Sequence, residues 1–170
     1  RITVRFTTQI AVSREANRHR VDSIAEQSTR YCNYSKDKFG GEISINMPKW
    51  AMEQGADLVA WGDEEDLIRL LSVMPAYKKW TPITKWWFAN KVSEMMYLSL
   101  VEDDGMKPQD ARVVLPLDTN TELIHTAFVS DWKHFFDLRS KGTTGAPHPD
   151  IEMLATPLYE DFKKFGLITE

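Results

Sequence analysis

Arg18-His19-Arg20-Val21-Asp22-Ser23-Ile24-Ala25-Glu26-Gln27-Ser28-Thr29-Arg30-Tyr31 is the stretch around which the chain is organised. Three arginines, a histidine, two carboxylates and the short hydroxyls of Ser28 and Thr29 leave only Val21, Ile24, Ala25 and part of Tyr31 for a core. Such a segment is poor packing material. A guanidinium presents a rigid fork of donors that fits phosphate or carboxylate oxygens in pairs, whereas a lysine offers a point charge. Six of the chain's nine arginines fall in the first thirty residues, and no lysine occurs before Lys36. A merely solvated face would mix Lys and Glu at three- and four-residue spacing. An all-arginine cluster is the composition of an anion-reading site.

The charge balance bounds the kind of anion. Residues 1–30 are locally +3 and the remainder −7, for a total of −4. A local positive patch on an acidic chain suits a small anionic ligand and argues against a nucleic-acid track. The length of 170 residues fits a single domain able to bury a core, and 42% apolar content with six Trp and eight Phe supports a globular fold. The lone cysteine, Cys32, excludes an intrachain disulfide and suits a reducing cytoplasm. No apolar run approaches the roughly 20 residues that span a bilayer. Arg1 in place of Met implies a truncated N-terminus, which leaves a cleaved leader open.

Working outward, residues 2–9 alternate, with Ile2, Val4 and Phe6 on one side, as a half-buried strand does. Ala11–Ala16 reads as a short helical turn that delivers the arginines to the strand end, where a rigid support gives precision. Cys32–Gly41 reads as a loop and Glu42–Asn46 as a second short strand. Residues 53–82 read as an insertion or elaborated connection. Within it Asp63 is a cap candidate and Leu67, Leu70, Leu71 and Met74 form a helical stripe ended by Pro75. From Thr84 to Val101, Phe88, Val92, Met95 and Met96, widened by Trp87, predict an apolar helix face for core or subunit contact. Asp104-Gly105 ends that helix, Pro108 opens the next, and Pro116 closes the run after it. Thr119–Phe128 is a strand candidate. Ser130-Asp131 then caps a helix in which Trp132, Phe135, Phe136 and Arg139 share a face, so Arg139 should point inward and need an anion. Gly142–Gly145 lacks the strand a phosphate-cradling loop requires, and a last helix runs from Pro149 to Lys164.

Two blocks resemble a known family. Arg18-His19-Arg20, seven residues, then Ser28 and Thr29-Arg30-Tyr31 resemble the signature of the flavin-dependent thymidylate synthases, the ThyX family. The second block is Ala111-Arg112-Val113-Val114-Leu115-Pro116-Leu117, Thr121, His134-Phe135, Leu138-Arg139, Ile151-Glu152 and Ala155. With the strand leading into the first block, the resemblance covers about half of the chain. It implies an α+β domain with a central, mostly antiparallel sheet flanked by helices, assembled as a cytoplasmic homotetramer whose active sites are shared between subunits.

The activity implied is dTMP biosynthesis, a methyltransferase reaction on dUMP that uses FAD, NADPH and methylenetetrahydrofolate. The methylene passes to C5 of the uracil and is reduced by a hydride from the flavin, with no protein nucleophile. By resemblance, Arg18, His19, Arg20, Val21, Glu26 and His134 would contact FAD. Glu15, Arg18, Glu26, Ser28, Thr29, Arg30, Arg112 and Arg139 would hold dUMP, and Arg139 would favour ionisation at N3 of the pyrimidine. A cation there lowers the neighbouring pKa, which agrees with that role.

Glu15 stands where many relatives have Gln, Thr29 where Gly is frequent, and Phe128 and Ser130 where Asn and Arg often meet the flavin. These departures keep two alternatives open, a flavoprotein acting on another pyrimidine nucleotide and a non-catalytic nucleotide-binding module. Ser28 has no adjacent His–Asp pair to make it a nucleophile. Cys32 reads as structural. His19, His125, His134 and His148 lack carboxylates at metal-ligand spacing, so no metal is expected.

Overall fold

A computed structural model describes residues 1–36, 41–55 and 64–169. In chain order the elements are strand β1 (Ile2–Gln9), helix α1 (Ile10–Ala16), strand β2 (Ser23–Glu26) and helix α2 (Lys49–Glu53). Then come α3 (Glu64–Ser72), α4 (Pro82–Glu102), α5 (Pro108–Ala111), strand β3 (Asn120–Ala127), α6 (Val129–Arg139) and α7 (Pro149–Lys164). Short 3-10 turns cover Met74–Lys79 and Arg112–Val114. The fold is α+β, with a three-stranded antiparallel sheet of order β1-β3-β2. Two compact units form, Arg1–Gln27 with Asn120–Glu170, and Ser28–Thr119. Among the described residues no helix is long and apolar enough to cross a membrane.

In the first unit the sheet has one buried face. Alternation puts Ile2, Val4 and Phe6 of β1 opposite Ala127, His125 and Leu123 of β3, and Ile24 of β2 opposite His125 from the other side. Val12 and Ala16 of α1, Trp132, Phe135 and Phe136 of α6, and Ile151, Ala155 and Phe162 of α7 close over that face. The aromatic side chains interlock. Trp132 stacks on Phe136 at 5.9 Å, Phe136 meets Phe162 edge-on at 5.0 Å, and the Trp132 Nε1 donates to the Ile2 carbonyl at 3.2 Å. The other face carries short polar groups, with Thr3 and Thr126 sharing a 2.8 Å hydroxyl bond.

The second unit packs Cys32, Tyr34, Ile43, Tyr97 and Ala111 together. The expected strand at Glu42–Asn46 is absent: only an isolated bridge joins Ile45 to Thr119. The reason is visible two residues earlier, where the Ile43 N–H donates to the Glu94 carboxylate at 3.0 Å instead of to a strand neighbour. Helix α4 also turns a different face inward. Trp87, Asn90, Glu94 and Tyr97 are buried at i, i+3, i+7 and i+10, while Phe88, Val92 and Met95 are half-buried and Met96 is exposed. Polar groups can face inward because each has a partner, Glu94 with Lys91 at 2.6 Å and Asn90 with the Trp86 carbonyl at 2.9 Å. Thr81 caps α4 by accepting from the Thr84 N–H.

Helix α6 begins one residue before the expected Ser130-Asp131 cap, at Val129, with Phe128 in the cap position and no side-chain bond. Pro108 opens α5, and Gly105 (φ 66°) takes the left-handed turn that ends α4. The cap candidate Asp63 and the side chains of Leu67 and Leu70 lie outside the described residues.

The position of Phe136 makes its truncation costly. Phe136→Ala should lower stability by ~3–5 kcal/mol in urea unfolding, whereas Val21→Ala, at an exposed position, should stay within ~0.5 kcal/mol of the parent. Equal effects of the two would contradict this assignment of the core.

Candidate functional site

The arginine segment is built from overlapping turns at the end of α1. The Asn17 N–H returns to the Ser13 carbonyl (2.9 Å), Arg18 to Glu15 (3.3 Å), His19 to Ala16 (3.1 Å) and Asp22 to His19 (3.1 Å). The chain then enters β2, a strand not expected from the sequence. Val21 and Tyr31, two of the residues expected to offer apolar surface to a core, are 72% and 80% exposed. Two polar residues go inside instead: His19 and the Asp22 side chain. Arg18 and Arg20 are exposed on either side of the buried His19.

Arg139 does point inward. Its side chain is 15% exposed, against 40% for its partner Glu15. Nη1 donates to the Glu15 carboxylate at 2.6 Å, Nη2 to the Glu15 carbonyl at 3.0 Å, and Nε to His19 Nε2 at 3.3 Å. Each terminal nitrogen keeps one N–H for another acceptor. Receiving that bond makes His19 Nε2 an acceptor, which fixes a neutral ring with its proton on Nδ1. Burial and then the Arg139 cation push the His19 pKa down to about 4, against a smaller opposing pull from Asp22. His134, one turn before Arg139, is exposed and meets the His19 ring edge-on at 5.9 Å. The two sequence blocks therefore meet in the first unit through His19, Glu15, His134 and Arg139.

Glu26 closes the same unit from the β2 end. Its carboxylate accepts from Ser13 (2.5 Å), Asn17 (3.2 Å) and Thr121 (3.4 Å), tying β2 to α1 and β3. A second group of expected residues lies in the other unit. Arg112 Nη1 donates to the Thr29 hydroxyl at 3.1 Å, and the Arg30 N–H to the Ser28 hydroxyl at 3.3 Å. Ser28, Arg30 and Arg112 are exposed, so two forks and two hydroxyls are displayed. That unit also has a hollow of about 330 Å³ lined by Ile43, Ser44, Ile45, Asn90, Lys91 and Glu94. Cys32 is buried and forms no disulfide.

One constellation was not expected. His125, read as lacking a carboxylate at metal-ligand spacing, bonds Asp22 through Nε2 and Oδ2 at 2.6 Å, the two side chains being 0% and 1% exposed. The signal that could have found it is parity, since Asp22 lies two residues before the inward Ile24 and His125 lies between the inward Leu123 and Ala127. Among the described residues no group of three or more His, Cys, Asp or Glu is placed to hold a metal ion.

The lowered pKa of His19 sets a pH dependence. Between about 4 and the ordinary value of 6.5 the unfolded chain binds a proton that the folded chain refuses. The contribution to stability is complete above 6.5 and is lost as pH falls toward 4. His19→Gln should flatten urea-unfolding stability across that window relative to the parent; parallel profiles would contradict a neutral His19.

No curated protein matches the chain. The family model Thy1, described as thymidylate synthase complementing protein, matches residues 1–165 and so spans both units and both arginine groups. With nearly the whole length matched, the chain belongs to the Thy1 (ThyX) thymidylate synthase family.

Proposed function

We propose that this chain is a flavin-dependent thymidylate synthase, converting dUMP to dTMP with methylenetetrahydrofolate as carbon donor and NADPH as reductant. The observation that supports this most is the half-buried fork of Arg139, held by Glu15 and by neutral His19 while one N–H on each terminal nitrogen stays available. A phosphate binder needs forks at the surface but none inside. A pyrimidine whose N3 must ionise needs a cation aimed at its edge in a low-dielectric setting.

Each residue then has a task. Ser28, Thr29, Arg30 and Arg112 serve the nucleotide, two guanidinium forks being well matched to a phosphate dianion. Arg18 and Arg20 present exposed guanidinia that fit the pyrophosphate of FAD, Arg18 also serving dUMP, and the buried, neutral His19 adds no repulsion between them. Val21 and His134 complete the flavin contacts, and Glu15 and Glu26 hold the donors in place. FAD, when bound, would supply the hydride. The protein contributes orientation and electrostatics. Cys32 takes no covalent part, in keeping with its burial beside Tyr34 and Tyr97. Assembly as a homotetramer and a cytoplasmic location belong to the same reading.

The purified protein supplied with FAD should show an oxidised flavin spectrum that bleaches under NADPH without oxygen, faster when dUMP is present. Arg139→Lys, which keeps charge and loses the fork, should lower turnover by roughly a hundredfold while changing the dUMP dissociation constant much less. A protein that stays colourless with FAD would end this reading, and equal losses of turnover and binding would favour a nucleotide-binding module.

A further inference from the structure

The tasks above leave one buried pair unused. Asp22 and His125 lie 103 residues apart in sequence and meet at 2.6 Å with almost no solvent exposure. His125 sits in the middle of β3, with the Trp132 ring centred 4.4 Å away and Phe135 edge-on at 5.5 Å. Asp22 closes the arginine segment immediately before β2. The second polar atom of each side chain, Asp22 Oδ1 and His125 Nδ1, is buried and has no hydrogen-bond partner among the described residues.

As a stabiliser this pair is a poor choice. Desolvation offsets much of the attraction in a buried pair, and apolar side chains of similar volume commonly serve a core as well or better. The unpartnered atoms add to the cost. What the pair does supply is direction. At its N-terminal root the arginine segment is held by the turn bonds at the end of α1. Between that root and β2, Arg18, Arg20 and Val21 are exposed and give the segment little packing of its own. β2 has four residues and lies at the sheet edge. The Asp22 side chain adds to the short β2–β3 ladder, which begins at Ser23, a bond that pins the far root to the central strand.

We propose that Asp22 and His125 are positioning residues that fix the C-terminal root of the arginine segment to β3 and thereby set the aim of Arg18 and Arg20 and the seat of His19. The pair does not act as an acid or base, because both groups are sealed from solvent. Only the identity of the ligands rests on the synthase reading; the anchoring itself does not.

The deciding variant is Asp22→Val with His125→Phe, which replaces the pair by apolar bulk. It should keep the parent's urea midpoint or raise it, speed amide exchange at residues 18–22 in the ligand-free protein by roughly tenfold, and weaken dUMP binding by about tenfold or more. Asp22→Asn, whose amide oxygen can still accept from His125, should bring exchange and affinity back to within about threefold of the parent. A stable double variant with unchanged exchange or unchanged dUMP affinity would reduce the pair to packing and overturn the proposal. If the double variant does not fold, Asp22→Ala decides by the same two readouts, both of which must change. If the parent itself binds no dUMP, the synthase reading falls, and amide exchange alone supports or overturns the anchor.

Discussion

The first unit depends on one strand having neighbours on both sides. Only β3 is paired along both edges, with all eight residues of β1 on one side and the four of β2 on the other. Its inward positions, Thr121, Leu123, His125 and Ala127, are therefore the most enclosed line in the unit, and three helices close over them. An edge strand as short as β2 would fray by itself. Ile24 and Glu26 on one side of it, and Asp22 ahead of it, help to fasten it, through a hydrophobic contact, a three-donor carboxylate and a hydrogen-bonded histidine.

That fastening explains how an arginine-rich segment can coexist with a tight core. Clustered guanidinia repel one another, and a protonated histidine among them would add to the repulsion. Burial and Arg139 remove that charge by keeping His19 neutral, while Glu15 balances Arg139 and Asp22 lies beneath the loop. Charge is thus neutralised where the segment meets the core and left unneutralised where Arg18 and Arg20 face outward. The same separation serves binding, because only the outward forks must shed water to take a ligand.

Periodicity made most of this architecture legible. The alternation of Ile2, Val4 and Phe6 gave β1, the Trp132–Phe135–Phe136–Arg139 face gave the buried side of α6 and the inward arginine, and the limits of α7 at Pro149 and Lys164 were readable from the sequence. What periodicity hid were the polar residues that a tertiary partner carries inside. Glu94 and Asn90 look like solvent positions until Ile43 and Trp86 supply their bonds, so the buried side of α4 keeps Trp87 from the expected face and adds two polar residues. β2 escaped because Ile24 is its one partly buried residue, and the same side carries the carboxylates of Asp22, just ahead of the strand, and Glu26. The meeting of Arg139 with the Arg18-His19-Arg20 triplet was implied by family resemblance, whereas the Asp22–His125 pair had no such guide.

Glu15 shows how one side chain can set the electrostatics of an arginine without setting its geometry. A glutamine there could accept from Arg139 through its amide oxygen and leave the guanidinium's full charge facing the ligand. The carboxylate accepts the same bond and cancels most of that charge at 2.6 Å. The pair is partly exposed, so the cancellation is softened by solvent but still felt. On the synthase reading, the pull of Arg139 on an anionic pyrimidine edge would be weaker than with a glutamine at position 15. More of the attraction for an anionic ligand would then come from outward arginines, whose contribution is screened by salt. Arg18 and Arg20, exposed on either side of the buried His19, are the forks placed to supply it.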